Sequence, residues 1–224
     1  MTLHTIVIPT LNEEVEIQAC LMQLQGLRAR GFEVIVVDGG SIDKIPQLVE
    51  GLCDQFVSVV PCRAIQMNVG ARQARGEMIF FLHVDTRLPE DFSEIINSIE
   101  KDRFYWGRFD VRFFGQRWLF RVVEAMVNIR SRLTGIATGD QVIFMTQEIY
   151  RAVGGFPEIA LMEDIAMSRR LKSISPPLCL RQKVTTSSRR WEKNGIMTTI
   201  IKMWWLRFAY FIGVNPEKLA AQYD

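Results

Sequence analysis

Apolar β-branched runs alternate with helix-period stretches through the first half of the chain, the pattern of parallel strands joined by crossover helices. Strands are predicted at residues 4–9, 33–38, 56–60 and 78–83. Between them, residues 13–28 set Val15, Ile17, Leu21, Leu24 and Leu27 near helical spacing, and shorter helices are predicted at 45–52 and 64–75. Asn12 stands where an N-cap for the first helix belongs. Farther on, 106–114 and 142–146 read as strands, whereas 118–132, 163–172 and 195–212 read as helices. Gly154-Gly155-Phe156-Pro157 and Ser175-Pro176-Pro177 mark loops. No repeat, low-complexity tract or linker interrupts the pattern. The expectation is an α/β fold, with a mostly parallel central sheet flanked by helices over 1–194 and an apolar C-terminal helix and tail over 195–224.

Composition narrows the partners. Across 224 residues, 27 Lys+Arg face 25 Asp+Glu, and a net charge of +2 is too balanced for nucleic-acid binding through a basic face. At 48% hydrophobic and 23% charged residues the chain has ample material for a core, which excludes intrinsic disorder. Much of the apolar excess sits at 196–214, with Trp204, Trp205, Phe208, Tyr210 and Phe211 broken by Lys202 and Arg207. A membrane span needs about 20 apolar residues and each central charge costs on the order of 3 kcal/mol, so a span is not expected. Two readings stand for 195–214: a helix docked on its own domain or on a second subunit, and an aromatic helix lying in the membrane interface with its cations snorkelling to phosphates. Cys20, Cys53, Cys62 and Cys179 are irregularly spaced and form no CxxC, and the opening run lacks the features of a signal peptide. The expected setting is cytoplasmic with reduced thiols, peripheral on the inner face of the cell membrane under the interfacial reading.

In an open parallel sheet, ligands bind beyond the carboxyl ends of the strands, so strand-terminal polar residues are the first candidates. The first predicted strand runs into Pro9-Thr10-Leu11-Asn12-Glu13-Glu14, the second into Asp38-Gly39-Gly40-Ser41-Ile42-Asp43 and the fourth into His83-Val84-Asp85-Thr86. Taken singly, Asp and Asn there are also ordinary turn formers. The first turn holds no glycine, which excludes both a G-x-G-x-x-G fingerprint and a P-loop at that place. A nucleotide would be held by side chains and a cation instead of a backbone nest.

These stretches, followed by Met162-Glu163-Asp164, resemble the family 2 glycosyltransferases of GT-A fold in motif order and separation, and Gly139-Asp140-Gln141, Gly154-Gly155-Phe156 and Arg189-Arg190-Trp191 resemble the family's later motifs. The chain is most similar to a small bacterial branch with a His-x-Asp metal motif and an apolar C-terminal helix. The resemblance implies inverting transfer of a sugar from a nucleotide-diphosphate sugar, a UDP- or GDP-sugar, with Mg2+ or Mn2+. It places Pro9, Asn12 and Glu13 around the nucleoside, Asp38 on the base, and Arg63 and Gly70 near the nucleotide. Asp85 becomes the metal ligand. His83 stands where the family usually has a first aspartate, as a metal ligand, as a hydrogen-bond partner of ribose or phosphate, or as a packed strand-end residue. Asp164 becomes the general base, with Glu163 as the competing carboxylate, and either acid also suits the first turn of a helix. Arg189 and Arg190, in a basic stretch at 183–193, are assigned to the diphosphate. Asp140, Gln141 and Trp191 fall on the acceptor or donor-sugar side. The acceptor is unidentified, with a lipid-linked one suited to the interfacial helix. The rival class is a non-catalytic GT-A-like scaffold that binds a membrane or partner through its C-terminal helix. A sugar-phosphate nucleotidyltransferase is disfavoured because Pro9-Thr10-Leu11-Asn12-Glu13-Glu14 supplies no glycine-rich loop.

Overall fold

The computed structural model describes residues 3–99 and 106–223, and only the backbone of Arg190 and Asn194. Its first part alternates regularly: β1 (His4–Thr10), α1 (Glu14–Ala29), β2 (Phe32–Asp38), α2 (Ile45–Leu48), β3 (Gln55–Ser58), α3 (Arg63–Gln73) and β4 (Met78–Phe81). Then come β5 (Thr86–Arg87), α4 (Phe92–Ser98), β6 (Trp106–Phe113), α5 (Trp118–Thr134), a 3-10 turn at Gly139–Gln141, β7 (Phe144–Thr146) and α6 (Gln147–Ala152). The chain ends with α7 (Glu163–Lys172), β8 (Leu178–Thr186), α8 (Arg189–Asn194), α9 (Ile196–Phe211) and α10 (Pro216–Tyr223).

The strands form one eight-stranded sheet in the order β3-β2-β1-β4-β7-β6-β8-β5. From β3 to β4 it is parallel, as the sequence pattern predicts. Beyond β4 it is mixed: β7 runs antiparallel to both β4 and β6, β8 is parallel to β6, and β5 is antiparallel to β8. Strands β1, β2 and β4 read as continuous apolar runs because both of their faces are covered. Ile6, Ile8, Val34 and Val36 face Ile17, Leu21 and Leu24 of α1, while Val7, Ile35 and Val37 face Ala64, Met67 and Ala71 of α3. Under the parallel-to-mixed junction, Phe80, Phe92, Phe109 and Phe144 meet at centroid separations of 5.1 to 5.7 Å.

Several predicted boundaries move for local reasons. β4 ends at Phe81, so His83 lies in the turn after it, where Thr86 N–H bonds the His83 carbonyl. The helix predicted at 45–52 stops at Leu48, and the strand at 142–146 begins only at Phe144, since Val142 takes a left-handed φ of 49°. Asn12 does not cap α1. It too is left-handed (φ 53°), and its Oδ1 accepts from Ile42 N–H (3.0 Å), while Asp43 Oδ2 accepts from Glu14 N–H in the first turn of α1 (3.0 Å). The basic stretch at 183–193 is no free loop: it starts in β8 and ends in α8.

α5 is tied to β6 by Asn128, whose amide bonds both Val111 N–H (2.9 Å) and Val111 C=O (3.0 Å), and by Glu124, which accepts from Phe113 N–H (2.7 Å). The C-terminal helices dock on the body. Ile196 and Ile200 of α9 pack with Phe120, Val123 and Val127 of α5, and Leu206, Ala209 and Leu219 pack with Met162 and Ile165 at the start of α7. No helix of the described residues is long and apolar enough to cross a membrane.

Candidate functional site

The loops after β1 and β2 are stitched into one wall. Asn12 N–H bonds Ser41 Oγ (2.8 Å), Lys44 N–H bonds Glu14 Oε2 (3.2 Å), and Gly39 N–H bonds the Thr10 carbonyl (2.8 Å). Asp38 organises this wall from inside. Its carboxylate accepts from Gly40 N–H (3.0 Å), Ser41 N–H (2.9 Å), Ser58 Oγ (3.3 Å) and the Ser41 hydroxyl. Almost fully buried, Asp38 is held by its own loop, with three donors on Oδ2 and only the Ser41 hydroxyl on Oδ1, and shapes the wall where the resemblance puts the base. Pro9 lies within β1 opposite Val37, inside the sheet just ahead of the loop.

Gly70 is also reassigned. A Cβ there would lie 2.3 Å from Val7 Cγ1, so the residue is glycine to let α3 sit down on β1; it is buried and presents nothing to a nucleotide. Arg63, exposed at the start of the same helix, does reach the site electrostatically, acting on both Asp85 and Glu163.

A line of carboxylates runs past the ends of these strands. Glu13, just past β1, is held above the usual carboxylate range by burial and by the charge of Asp85, against the pull of Arg189. Asp85, past β4, is raised by burial and by Asp140, with Thr86, Arg63 and Arg189 opposing. Asp140, in the 3-10 turn, accepts from Thr138 Oγ1 (2.5 Å) and carries the line on to Asp164. Asp164 Oδ2 accepts from Gly139 N–H (3.0 Å) and Oδ1 from Ile165 N–H (2.7 Å). Burial still lifts its carboxyl above the ordinary range, helped by Asp140 and countered by those hydrogen bonds and Arg207. Glu163, only 7% exposed, is pushed up to about 7 by burial and by Asp164.

His83 and Gly139 explain how these segments meet. The His83 ring is so close that a Cβ on Gly139 would lie 2.4 Å from its Nε2. With Met67, Phe81, Ile143 and Phe156 they line a small enclosed pocket that Glu163 and Asp164 border. His83 is thus brought to the base candidates through Gly139.

Arg189 sits over the entrance, exposed, with Nη2 3.4 Å from Glu13 and Nη1 3.3 Å from Glu16. Arg190 lies outside the described side chains. Trp191 is turned away from the site: its ring packs edge-on to Phe113 at 5.2 Å, in the cluster under α5 and α8. Gln141 is fully buried and serves the turn, its Oε1 accepting from Thr138 N–H (3.2 Å). For Trp191 this corrects the reading by resemblance; Gln141 stays beside Asp140 in the turn, with its Nε2 buried and without a hydrogen-bond partner among the described residues. Among the described residues no three His, Cys, Asp or Glu side chains converge as a metal cage. The hard carboxylate oxygens of Asp140 and of Asp85, the latter raised by burial and by the Asp140 charge, fit a divalent cation that takes its other ligands from phosphate and water.

Three site features were missed in the sequence. Asn68 holds the Gly154-Gly155-Phe156 loop through Phe156 N–H (2.8 Å), Phe156 C=O (2.9 Å) and Tyr150 OH (2.9 Å). Arg130 and Arg207 stand at the Asp164 end of the line. Arg130 is one of three arginines of α5 and Arg207 one of two cations of α9, and nothing in their spacing sets them apart.

Residues 5–153 match the model of Glycosyl transferase family 2. The chain belongs to the family 2 glycosyltransferases. The transferase is 26% identical over 155 residues to the undecaprenyl-phosphate 4-deoxy-4-formamido-L-arabinose transferase of Pseudomonas aeruginosa, covering 62% of this chain and 44% of that one. It spans less than half the length of the curated relatives it matches. Its fold is GT-A. Staphylococcus aureus TarS in complex with UDP superposes with a TM-score of 0.68 at 18% identity, covering 84% of the transferase and 60% of TarS. The mannosyltransferase PcManGT of Pyrobaculum calidifontis, in complex with GDP-Man and Mn2+, gives 0.62 at 20% identity over 82% of the transferase and 56% of its own chain.

Proposed function

We propose that this glycosyltransferase moves a sugar from a UDP- or GDP-sugar to a lipid-linked acceptor by single displacement with inversion, using Mg2+ or Mn2+, on a membrane surface facing the cytoplasm. The observation that carries the reading is the line Glu13, Asp85, Asp140, Asp164, with Arg63 and Arg189 at one end and a backbone N–H aiming Asp164 at the other. Structural neighbours hold UDP, or GDP-Man with Mn2+, and one relative's name carries a lipid phosphate, which support donor, metal and acceptor class.

Donor diphosphate enters between Arg63 and Arg189, which meet its charge as a matched pair of guanidinium groups. A divalent cation at Asp85 supplies neutralisation of the charge that develops on the departing nucleoside diphosphate. An acceptor hydroxyl lies against Asp164. Its oxygen bonds the anomeric carbon as the bond to the diphosphate breaks and that electron pair leaves with the nucleotide; the hydroxyl proton passes to Asp164. Burial makes Asp164 a stronger base than an ordinary aspartate, and its bond to Gly139 fixes the direction of approach. Glu163 is almost enclosed and half-protonated near neutrality, so it supports the site from behind.

Donor binding and transfer with UDP- and GDP-sugars, with Mn2+ or Mg2+ against EDTA, test the reading. Asp164→Asn is expected to keep donor affinity and lose about 10²- to 10⁴-fold in transfer, and Asp85→Ala to lose the metal dependence of donor binding. A wild-type chain that binds no nucleotide sugar in any metal sinks it.

A further inference from the structure

The end of the carboxylate line opposite the nucleotide entrance is cationic. Arg130 of α5 is close to Arg207 of α9, and both bear on Asp164. Burial and the Arg207 charge pull the Arg130 guanidinium down to about 10, while Asp140 and Asp164 resist. Nε and Nη2 of Arg130 and Nε of Arg207 are buried and have no hydrogen-bond partner among the described residues. Buried guanidinium donors left unused are costly, and two such groups side by side call for an anion with several oxygens.

Arg130 also opens to the outside. It borders the open, mostly apolar outer face of α5 with Arg121, Val122, Met126, Ile129 and Leu133. Val122, Met126, Ile129 and Leu133 recur at helical spacing and are exposed, although the opposite face of α5, with Phe120, Val123, Asn128 and Ser131, is already buried. α9 has a matching stripe in Ile201, Trp204, Trp205 and Phe208, more than half exposed. The two helices run in the same direction, since Ile196 packs in one cluster with Phe120 and Val123 at one end and the Arg207 charge acts on Arg130 farther along. With that pairing each stripe is turned roughly a quarter turn from the shared seam, away from the core, so both open on one side. α9 contains no acidic residue, and the single acid of α5, Glu124, is buried against Phe113 N–H. The surface is apolar and cationic only. A second copy of the chain would oppose like charges across it; an anionic amphiphile complements it.

We propose that the α5/α9 face is the acceptor entrance and that the acceptor is a lipid with a phosphate in its head group, the chain lying on the two stripes and the phosphate meeting Arg130 and Arg207 beside Asp164. The inference rests on the transferase reading and names the class of its second substrate.

Flotation of the full chain with phosphatidylcholine vesicles, with and without phosphatidylglycerol, tests it. The wild type is expected to float with the anionic vesicles. Arg130→Gln/Arg207→Gln loses about tenfold in affinity for them and with it the preference over phosphatidylcholine, and Ile129→Glu/Trp204→Glu stays unbound with both. Thermal melting with UDP or GDP present establishes that each variant is folded. The proposal is overturned if the wild type floats with neither vesicle, if the arginine variant keeps the wild-type preference, or if glycerol phosphate displaces the protein at equal phosphate concentration, which marks a soluble ligand. It is equally overturned if light scattering shows a dimer that Ile129→Glu/Trp204→Glu dissociates while vesicle binding is unchanged. Donor hydrolysis by the wild type without vesicles separates the two readings: hydrolysis without flotation removes only the lipid acceptor, and absence of nucleotide-sugar binding removes the transferase reading itself.

Discussion

Replacing Glu163 by glutamine isolates the cost of keeping a second acid behind the base. In the unfolded chain this carboxyl titrates near 4.5; in the folded protein burial and Asp164 push it up to about 7. The folded state therefore binds the proton more tightly. Below about pH 4.5 the carboxyl is neutral in both states and costs nothing, and between about 4.5 and 7 stability falls because the unfolded chain ionises it while the folded protein keeps the proton. Above the folded value the full penalty stands, roughly 3 kcal/mol. Glu163→Gln keeps the shape and removes the charge. Glu163→Gln also relieves Asp164 of its charged neighbour, so the gap measures the pair and not one group alone. Urea unfolding across this range is expected to show equal stability for the two proteins in acid and a gap that widens to about 3 kcal/mol in favour of Glu163→Gln at about pH 8. A variant that is no more stable than wild type at pH 8, or a gap that does not change with pH, refutes the reasoning. The same variant separates the base candidates, because it is expected to retain far more transfer activity than Asp164→Asn.

Asn68→Ala removes three buried hydrogen bonds that hold the Gly154-Gly155-Phe156 loop; a loss of roughly 2–4 kcal/mol in urea unfolding is expected. Gly70→Ala drives a methyl into Val7 and is expected to lower stability by about 1–3 kcal/mol, with nucleotide affinity per folded molecule unchanged by calorimetry.

The parallel half was legible because strands covered on both faces carry unbroken apolar runs, residues 6–9 in β1, 34–37 in β2 and all of β4. Glu13 and Asp85 lie just past the ends of β1 and β4, where the strand pattern puts them, and the Glu163-Asp164 pair opens α7. Local pattern could not show what depends on partners distant in the chain. Asn12 looks like a cap and is instead bound to Ile42, and the resemblance puts Gly70 near the nucleotide until Val7 is placed beside it. Trp191 looks like a ligand platform until Phe113 packs on it. α5 illustrates the limit most clearly. Its apolar residues give a helix, yet nothing in their spacing distinguishes the buried Phe120 and Val123 from the exposed Met126 and Ile129.

The reversal at β7 bears on how the chain comes off the ribosome. By the time β4 has been made, β1 to β4 are available as a parallel block, but β4 then presents an open edge of Met78, Ile79 and Phe80, and the strand that closes it comes only at Phe144–Thr146. An apolar edge left unpaired for that long invites pairing with another nascent chain. Slow synthesis through the α5 region would lengthen this interval. The same insertion brings Asp140 to Asp85, so the event that protects the growing chain from aggregation also assembles the carboxylate line.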